Sequence, residues 1–585
     1  MEVWSTHWLE ASTAGWIGAR LIGFDGSPRA DRLVMERRMT TRPALPTQRS
    51  RSRPSGFTCA LVLTVSATLV LSGCDSSSEA SSGSPAKAPT NVSAAQIDRA
   101  AVDAATDRID GFVDDMMSRT GAPGIAVAVV YRDEVVYAKG FGVRKVGEPE
   151  PVDTSTMFQL ASVSKPLASS VIAKLAGDGK ISWDEPVKRY EPNFVVADPY
   201  VTENATFTDL LSHRTGLPDH GGDLLEDLGY NYEEIVSRLN QLPLDRFRDN
   251  YAYSNYGFTV AGVAAAKSQG TTWAELSEQT IYEPLGMTDT TSSTDEWQNV
   301  PNHAYNHVLV DPATNTWEAK YVSNPEAQSP AGGASSSVDD MAAWIRMELA
   351  DGMFDGRQIV DPDALQYTHQ AHAFSRPATE PGARESFYGT GFSINTDDRG
   401  RVQVAHAGAF ALGASTDVEL LPSEDLGIVV LANTAPIGVS ETIAAQFMDY
   451  AKNGKLTVDW APYVSGQFKQ LVEHGRSETD YTSPPAGATP PQAASVYGGK
   501  FVSPFYGAAE VVNEGGDLVL RLGRDQQLSY PLIHYDGDTY WFETSGENAV
   551  GPTSIQFATD NGTATSFTIE YLDAQGLGTF TKVPA

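Results

Sequence analysis

The hydrophobic rhythm of the chain changes several times, and each change marks a different element. Residues 1–54 scatter Gly, Pro and Arg without sustained periodicity. Basic Arg49-Ser-Arg-Ser-Arg53 then leads into residues 57–71, a largely apolar run of 15. That length suits the apolar part of an export signal and is short for a membrane-spanning helix. Residues 75–90, rich in Ser, Ala, Gly and Pro, read as a flexible tether. Over 97–119, Ile97, Val102, Ile109, Val113, Met116 and Met117 recur at helical spacing. The β-rich runs 125–131 and 134–141 flank Arg132-Asp133 and predict a hairpin. An apolar-rich helix follows Pro166, and 208–218 reads as a helix running into a loop. Residues 273–285 and 338–349 read as amphipathic helices. Strand patterns return at 402–406, 414–421 and 427–432, and a helix follows Ser440. A helix-hairpin start, a helical middle and late antiparallel strands predict an α+β domain.

Residues 460–474 predict a closing helix, and Ser483-Pro-Pro-Ala-Gly-Ala-Thr-Pro-Pro-Gln marks a boundary. Beyond it, eight candidate strands (497–502, 507–512, 517–522, 527–535, 539–544, 553–558, 563–571 and 576–582) are separated by turn signals such as Asp560-Asn-Gly. This pattern predicts a small up-and-down barrel. The expected organisation is an N-terminal extension and basic region (1–56, with Met35 and Met39 as alternative starts), a signal segment (57–74), a linker (75–95), a catalytic domain (96–455), a closing helix and Pro-rich linker (456–495), and the barrel (496–585).

Charge and cysteine count remove whole classes of function. The net charge is −32, although residues 1–56 hold nine Lys/Arg against five Asp/Glu. So acidic a surface repels phosphate backbones, and nucleic acid is excluded as a partner. Cys59 and Cys74 are the only cysteines. No thiol nucleophile, disulfide or zinc thiolate can therefore arise after Cys74. The ten histidines form no His-x-His or His-Glu-x-x-His, only His369-Gln-Ala-His372 in a polar stretch, which reads as solvent-exposed. No metal or other cofactor is expected.

The candidate chemistry centres on Phe158-Gln-Leu-Ala-Ser162-Val-Ser-Lys165-Pro166. Proline is tolerated only in the first turn of a helix, so Ser162 falls at or just before a helix N-terminus. There the dipole favours negative charge, and Lys165 stands one turn on, on the same face. A hydroxyl beside an amine suggests an activated serine. A second Ser-x-x-Lys, Ser84 to Lys87, lies in the tether, which cannot hold a rigid site. Two further motifs come later in the chain, Tyr253-Ser-Asn255 and then His406-Ala-Gly408, the latter at the end of a strand-like run. His213 and the turn His220-Gly-Gly222 read as structural, and Ser164 points off the Ser162–Lys165 face. No Gly-x-Ser-x-Gly elbow offers a rival nucleophile.

These residues carry two resemblances. Leu71-Ser-Gly-Cys74 resembles the lipobox of bacterial lipoproteins, which implies cleavage before Cys74, lipid on that cysteine, and an exported, membrane-anchored protein facing the periplasm or exterior. Ser-x-x-Lys, Tyr-x-Asn and His-x-Gly, with Leu210-Leu-Ser-His-Arg-Thr-Gly-Leu-Pro218 and Ala331-Gly-Gly-Ala-Ser-Ser-Ser-Val-Asp-Asp-Met341, resemble the serine β-lactamase-like superfamily. The branch most resembled is class C, peptidase family S12. The part from Tyr497-Gly-Gly-Lys-Phe resembles the lipocalin-like domain appended to such hydrolases, through which an oligomer is an option.

The resemblance implies that Ser162 is the nucleophile of an acyl-enzyme, with Lys165 or Tyr253 as base. It also implies that Asn255, His406 and Gly408 contact substrate and that the Ala409 N–H helps hold the oxyanion. A lysine must fall about 3 from its ordinary pKa of about 10.4 to be largely neutral at pH 7, a cost of roughly 4 kcal/mol. A tyrosinate needs a similar fall, so the sequence leaves the base open. Ala407 stands where class C enzymes and related carboxypeptidases carry threonine, whose hydroxyl helps bind a substrate carboxylate. An esterase or amidase acting on a small-molecule or peptide acyl substrate is therefore expected. The alternatives are a D-alanyl-D-alanine carboxypeptidase, a class C β-lactamase, and a non-catalytic penicillin- or peptidoglycan-binding lipoprotein.

Overall fold

A computed structural model describes residues 96–584. The signal-like run, Cys74 and the tether lie outside the described residues. Strands β1 (Gly124–Tyr131), β2 (Glu134–Gly142), β3 (Ala373–Arg376), β4 (Ser386–Tyr388), β5 (Ser393–Thr396), β6 (Val402–Phe410), β7 (Ala414–Leu421) and β8 (Leu426–Ala432) form one antiparallel sheet in the order β2-β1-β8-β7-β6-β5-β4-β3. Helices α1 (Arg99–Thr106) and α2 (Ile109–Thr120) cover one face with α7 (Val439–Asn453), and α3 (Ser164–Gly177) lies on the other with α6 (Val338–Leu349). Two covered faces explain why β1 and β8 are apolar at every position rather than alternating.

The expected hairpin forms on Arg132 and Asp133, both at positive φ. The helix expected over 97–119 divides in two. The Arg108 N–H bonds back three residues to Ala105 O (3.0 Å) rather than four, and this sends α2 off in a new direction. The helix expected over 273–285 is likewise interrupted by one wide turn, Glu278–Tyr282, beside Pro284. The Thr280 hydroxyl adds to the irregularity by bonding back to Leu276 O (2.6 Å).

After the closing helix α8 (Trp460–Gly475), the C-terminal sheet has nine strands rather than eight. These are β9 (Gly499–Ser503), β10 (Gly507–Glu514), β11 (Asp517–Leu522), β12 (Leu528–Pro531), β13 (Ile533–Asp536), β14 (Thr539–Glu543), β15 (Pro552–Asp560), β16 (Thr563–Ile569) and β17 (Thr579–Lys582). The single strand expected over 527–535 is cut because Pro531 lacks an N–H and Leu532 turns to bond Leu518 O (2.8 Å). Its halves therefore pair at opposite ends of the order β12-β11-β10-β9-β17-β16-β15-β14-β13, and the sheet curls into a nearly closed barrel. Aromatic rings packed in tilted, edge-on and stacked pairs, among them Tyr497, Phe501, Phe557, Phe567 and Phe580, fill its inside.

Barrel and α+β domain share one apolar core, in which Leu228 and Tyr230 meet Phe505 and Tyr506. The Tyr230 hydroxyl donates to Tyr506 O (3.0 Å), and the Arg524 N–H donates to Leu228 O (2.7 Å).

Candidate active site

Ser162 sits in a tight turn (Ala161–Val163) that feeds α3. The preceding Ala161 has φ +46°, a conformation L residues rarely adopt, and is fully buried against Phe410 and Ala414. Pro166 is the third residue of α3, where its missing N–H costs no helical bond. Ser164 turns away to accept the Ala334 N–H (2.9 Å).

Lys165 is completely buried. Its Nζ lies 3.1 Å from Ser162 Oγ, 2.7 Å from Asn255 Oδ1 and 3.0 Å from Ala331 O. Burial lowers its pKa to about 7, with nearby Asp223 working in the opposite direction. A neutral amine has two N–H donors and one lone pair. Asn255 Oδ1 and Ala331 O can only accept, which leaves the lone pair for the Ser162 hydroxyl.

Tyr253 donates its hydroxyl to Ser162 Oγ at 2.9 Å. Burial pushes its pKa well above the usual value, and the charges of Asp223 and Asp219 push the same way. Asn255 is the first residue of α5 (Asn255–Gln269), with Ser254 as the N-cap accepting the Gly257 N–H (3.0 Å). Tyr-x-Asn is thus a loop-to-helix junction.

His406 lies in β6 with Nδ1 2.6 Å from Ala407 O and Nε2 2.8 Å from the Tyr388 hydroxyl. Burial, then the Lys165 charge, lower its pKa to about 3, so the ring is neutral. Nδ1 carries the proton toward the carbonyl, and Nε2 accepts from the phenol. Gly408 comes against the backbone at Ser162: a Cβ there would stand 2.2 Å from Leu160 O, 2.3 Å from Thr416 Oγ1 and 3.0 Å from Ser162 N. Strand β5 pairs only with residues 402–405 of β6, so the β6 edge from His406 to Phe410, including Ala409, has no strand partner on that side. Ser162, Lys165, Tyr253, Asn255, His406 and Gly408 therefore converge.

Three neighbours were not expected at this centre. Asp223 Oδ2 accepts Asn255 Nδ2 (2.8 Å) and lies 2.7 Å from His220 Nδ1. His220 is in a turn, as expected, yet its ring centroid is 5.5 Å from that of Tyr253. His213, at φ +57°, accepts the Ser254 N–H on Nδ1 (3.1 Å) with its ring 4.5 Å from Tyr253. In the sequence His213 stands inside the family-like segment 210–218 and His220 opens the turn His220-Gly-Gly222, but neither pattern placed its ring against Tyr253. His369 and His372, expected in solvent, are instead partly buried: His369 Nε2 lies 3.0 Å from Glu348 Oε2, and His372 Nε2 lies 2.9 Å from Tyr367 O.

The profile of the Beta-lactamase family matches residues 109–452. The chain belongs to that family. A domain of unknown function, DUF3471, matches residues 483–579 of this beta-lactamase-family protein. The unguisins hydrolase ungD' of Aspergillus campestris is 26% identical over 408 residues, 67% of this chain and 74% of that protein. The D-alanyl-D-alanine-carboxypeptidase/endopeptidase AmpH of Escherichia coli is 23% identical over 339 residues, 57% and 85% respectively. In fold, the chain is similar to the octameric penicillin-binding protein homologue from Pyrococcus abyssi. The TM-score is 0.53 at 20% identity, covering 81% of this chain and 99% of that one. This beta-lactamase-family protein is a serine hydrolase with an α+β catalytic domain and a C-terminal barrel-like sheet.

Proposed function

We propose that the protein is a class C, S12-type hydrolase that cleaves ester or peptide-amide bonds through an acyl-enzyme on Ser162, with Lys165 as the base. The carrying observation is the set of three partners around buried Lys165 Nζ, which suits the neutral amine. Lys165 takes the Ser162 proton as Oγ attacks the carbonyl carbon. The N–H groups of Ser162 and Ala409 hold the oxyanion. As the tetrahedral species collapses, Lys165 gives that proton to the departing alkoxide or amine. Water then attacks the acyl group, giving its proton to Lys165, and Ser162 leaves protonated. Tyr253 serves as a neutral phenol that orients Ser162 Oγ, since its burial, and then the charges of Asp223 and Asp219, oppose its ionisation.

An uncharged acyl portion fits best. Ala407 has no hydroxyl, His406 is neutral, and the side chains acting on Tyr253 from nearby, Asp223 and Asp219, are acidic. A carboxylate-bearing substrate would enter without a cation to receive it. The names of the relatives, an unguisins hydrolase and a carboxypeptidase/endopeptidase, support amide as well as ester cleavage. Purified protein should hydrolyse a short p-nitrophenyl ester faster than a cephalosporin, and Ser162→Ala should abolish ester turnover. Retained turnover in that variant removes Ser162 as nucleophile, and faster cephalosporin hydrolysis removes the uncharged-substrate reading.

Cys74 belongs to the same proposal as the lipidated residue of an exported, membrane-anchored protein. A lipid label lost on Cys74→Ser tests it. The aromatic filling of the barrel supports a packing role for that lipocalin-like domain over ligand carriage. Self-assembly through the barrel is open to test by sedimentation.

A further inference from the structure

The loop 544–551 between β14 and β15 leaves the barrel and enters the hydrolase beside the catalytic strand. Its Glu547 accepts the N–H groups of Ala411, on Oε1, and Leu412, on Oε2 at 3.3 Å. Ser323 Oγ completes the set at 3.1 Å from Oε2, and Gln159, three residues before Ser162, donates to Ser323 O (3.0 Å).

Ala411 and Leu412 form the turn between β6 and β7, closed by the Gly413 N–H on Phe410 O (2.9 Å). That turn begins two residues after Ala409. Phe410 packs on Ala161, immediately before the nucleophile. The loop is held in return by the hydrolase. Asp227, the last residue of α4 (Asp223–Asp227), accepts the N–H groups of Glu547 (2.9 Å) and Asn548 (2.8 Å) and the Asn548 side-chain amide (2.9 Å). Gly546, at φ +108°, lets the loop approach this closely, since a Cβ there would lie 2.7 Å from Asp227 Oδ1.

We propose that Glu547 is a positioning residue for the hydrolase, a carboxyl supplied by the barrel that fixes the β6–β7 turn and thereby the Ala409 N–H at its distance from Ser162. The proposal rests on Ser162 as nucleophile and Ala409 as oxyanion donor. The turn carries few other constraints. Beyond residue 405, β6 is paired on one side only, so the pair of N–H groups held by Glu547 ties down its free end. Without Glu547 the two donors turn to water, the strand end relaxes, and the oxyanion donor is misplaced. The centre is built by both domains, although all three motif boxes lie in one.

The test uses the full chain, with active sites counted by labelling Ser162 with a fluorophosphonate. In Glu547→Ala, kcat per labelled site for a p-nitrophenyl ester should fall at least about tenfold while KM stays within about threefold, since a misplaced oxyanion donor acts on the transition state. Amide hydrogen exchange at Ala411 and Leu412 should speed up. Glu547→Gln keeps the size and one acceptor oxygen, so it guards against misfolding and should lose less than the alanine variant. A kcat per labelled site within twofold of wild type in both variants overturns the proposal and leaves a purely structural contact. Failure of the underlying reading looks different: wild-type Ser162 takes no label while exchange at the turn still responds, and this overturns both.

Discussion

A buried lysine poised near neutrality makes activity a direct readout of its proton. As the proposed base, Lys165 has to be neutral to accept from Ser162, so kcat/KM should rise with pH through about 7, the value to which burial brings it. Asp223 holds that value up by favouring the ammonium form. Asp223→Asn should therefore move the acid limb to lower pH, and an unmoved limb would exclude Lys165 as the titrating base. The variant keeps an acceptor for Asn255 Nδ2, so the geometry around Asn255 survives. The motif residues were readable because each kind of chemistry needs a particular side chain at a particular spacing. Asp223 was not, since its role depends on α4 meeting α5 across 32 positions of chain. The choice between Lys165 and Tyr253 was equally closed to the sequence, because both need a similar pKa fall and only the actual burial and acidic neighbours separate them.

Strand β6 acts as a ruler laid against the nucleophile turn, and Gly408 is the mark that sets the spacing. A methyl group at that position would overlap Leu160 O and Thr416 Oγ1, so Gly408→Ala must push the strand away from Ser162. Thr416 Oγ1 donates to Leu160 O at 2.7 Å, so that contact has no slack. Ester turnover should fall about a hundredfold, the scale of a lost oxyanion donor, measured beside an unfolding curve that separates misplacement from unfolding. Elements with a clean period were legible: β1 and β2, α6, and β6 to β8 all fall where the pattern put them, with ends shifted by a few residues. The features that the pattern missed are those that local bonding decides. The break between α1 and α2 rests on one shortened hydrogen bond, and the wide turn after Ser277 rests on side chains bonding backward. Pro531 within the run 527–535 was the available signal that one strand was two, but hydrophobic alternation runs across it.

At the scale of the whole molecule, acidity is carried inside as well as outside. Burial raises Asp219 and Asp340 to about 6, and Glu441 and Glu547 to about 8. Between pH 5 and 7 the folded protein therefore keeps protons that the unfolded chain has released. Stability must fall as pH rises, by about 1.4 kcal/mol for each such proton per pH unit. His406, His213, His307 and His372, whose rings burial keeps neutral, oppose this below the ordinary histidine pKa of about 6.5, but the raised carboxyls, which also include Glu226, Asp417 and Glu419, outnumber them. Lys165 opposes it only as pH passes its own value near 7. The midpoint of thermal unfolding should thus be higher at pH 5 than at pH 7, and the reverse order would show these carboxyls to be ionised in the fold.

The exchange of carboxyl groups between α4 and the loop 544–551 also bears on how the two domains can be recombined. Four backbone donors, from Ala411, Leu412, Glu547 and Asn548, are divided between one acid from each side. A chimera that grafts another relative's barrel onto this hydrolase would strand Asp227 and the β6–β7 turn together. These contacts survive an exchange of modules only if residues 223–227 and 544–551 are moved as a pair.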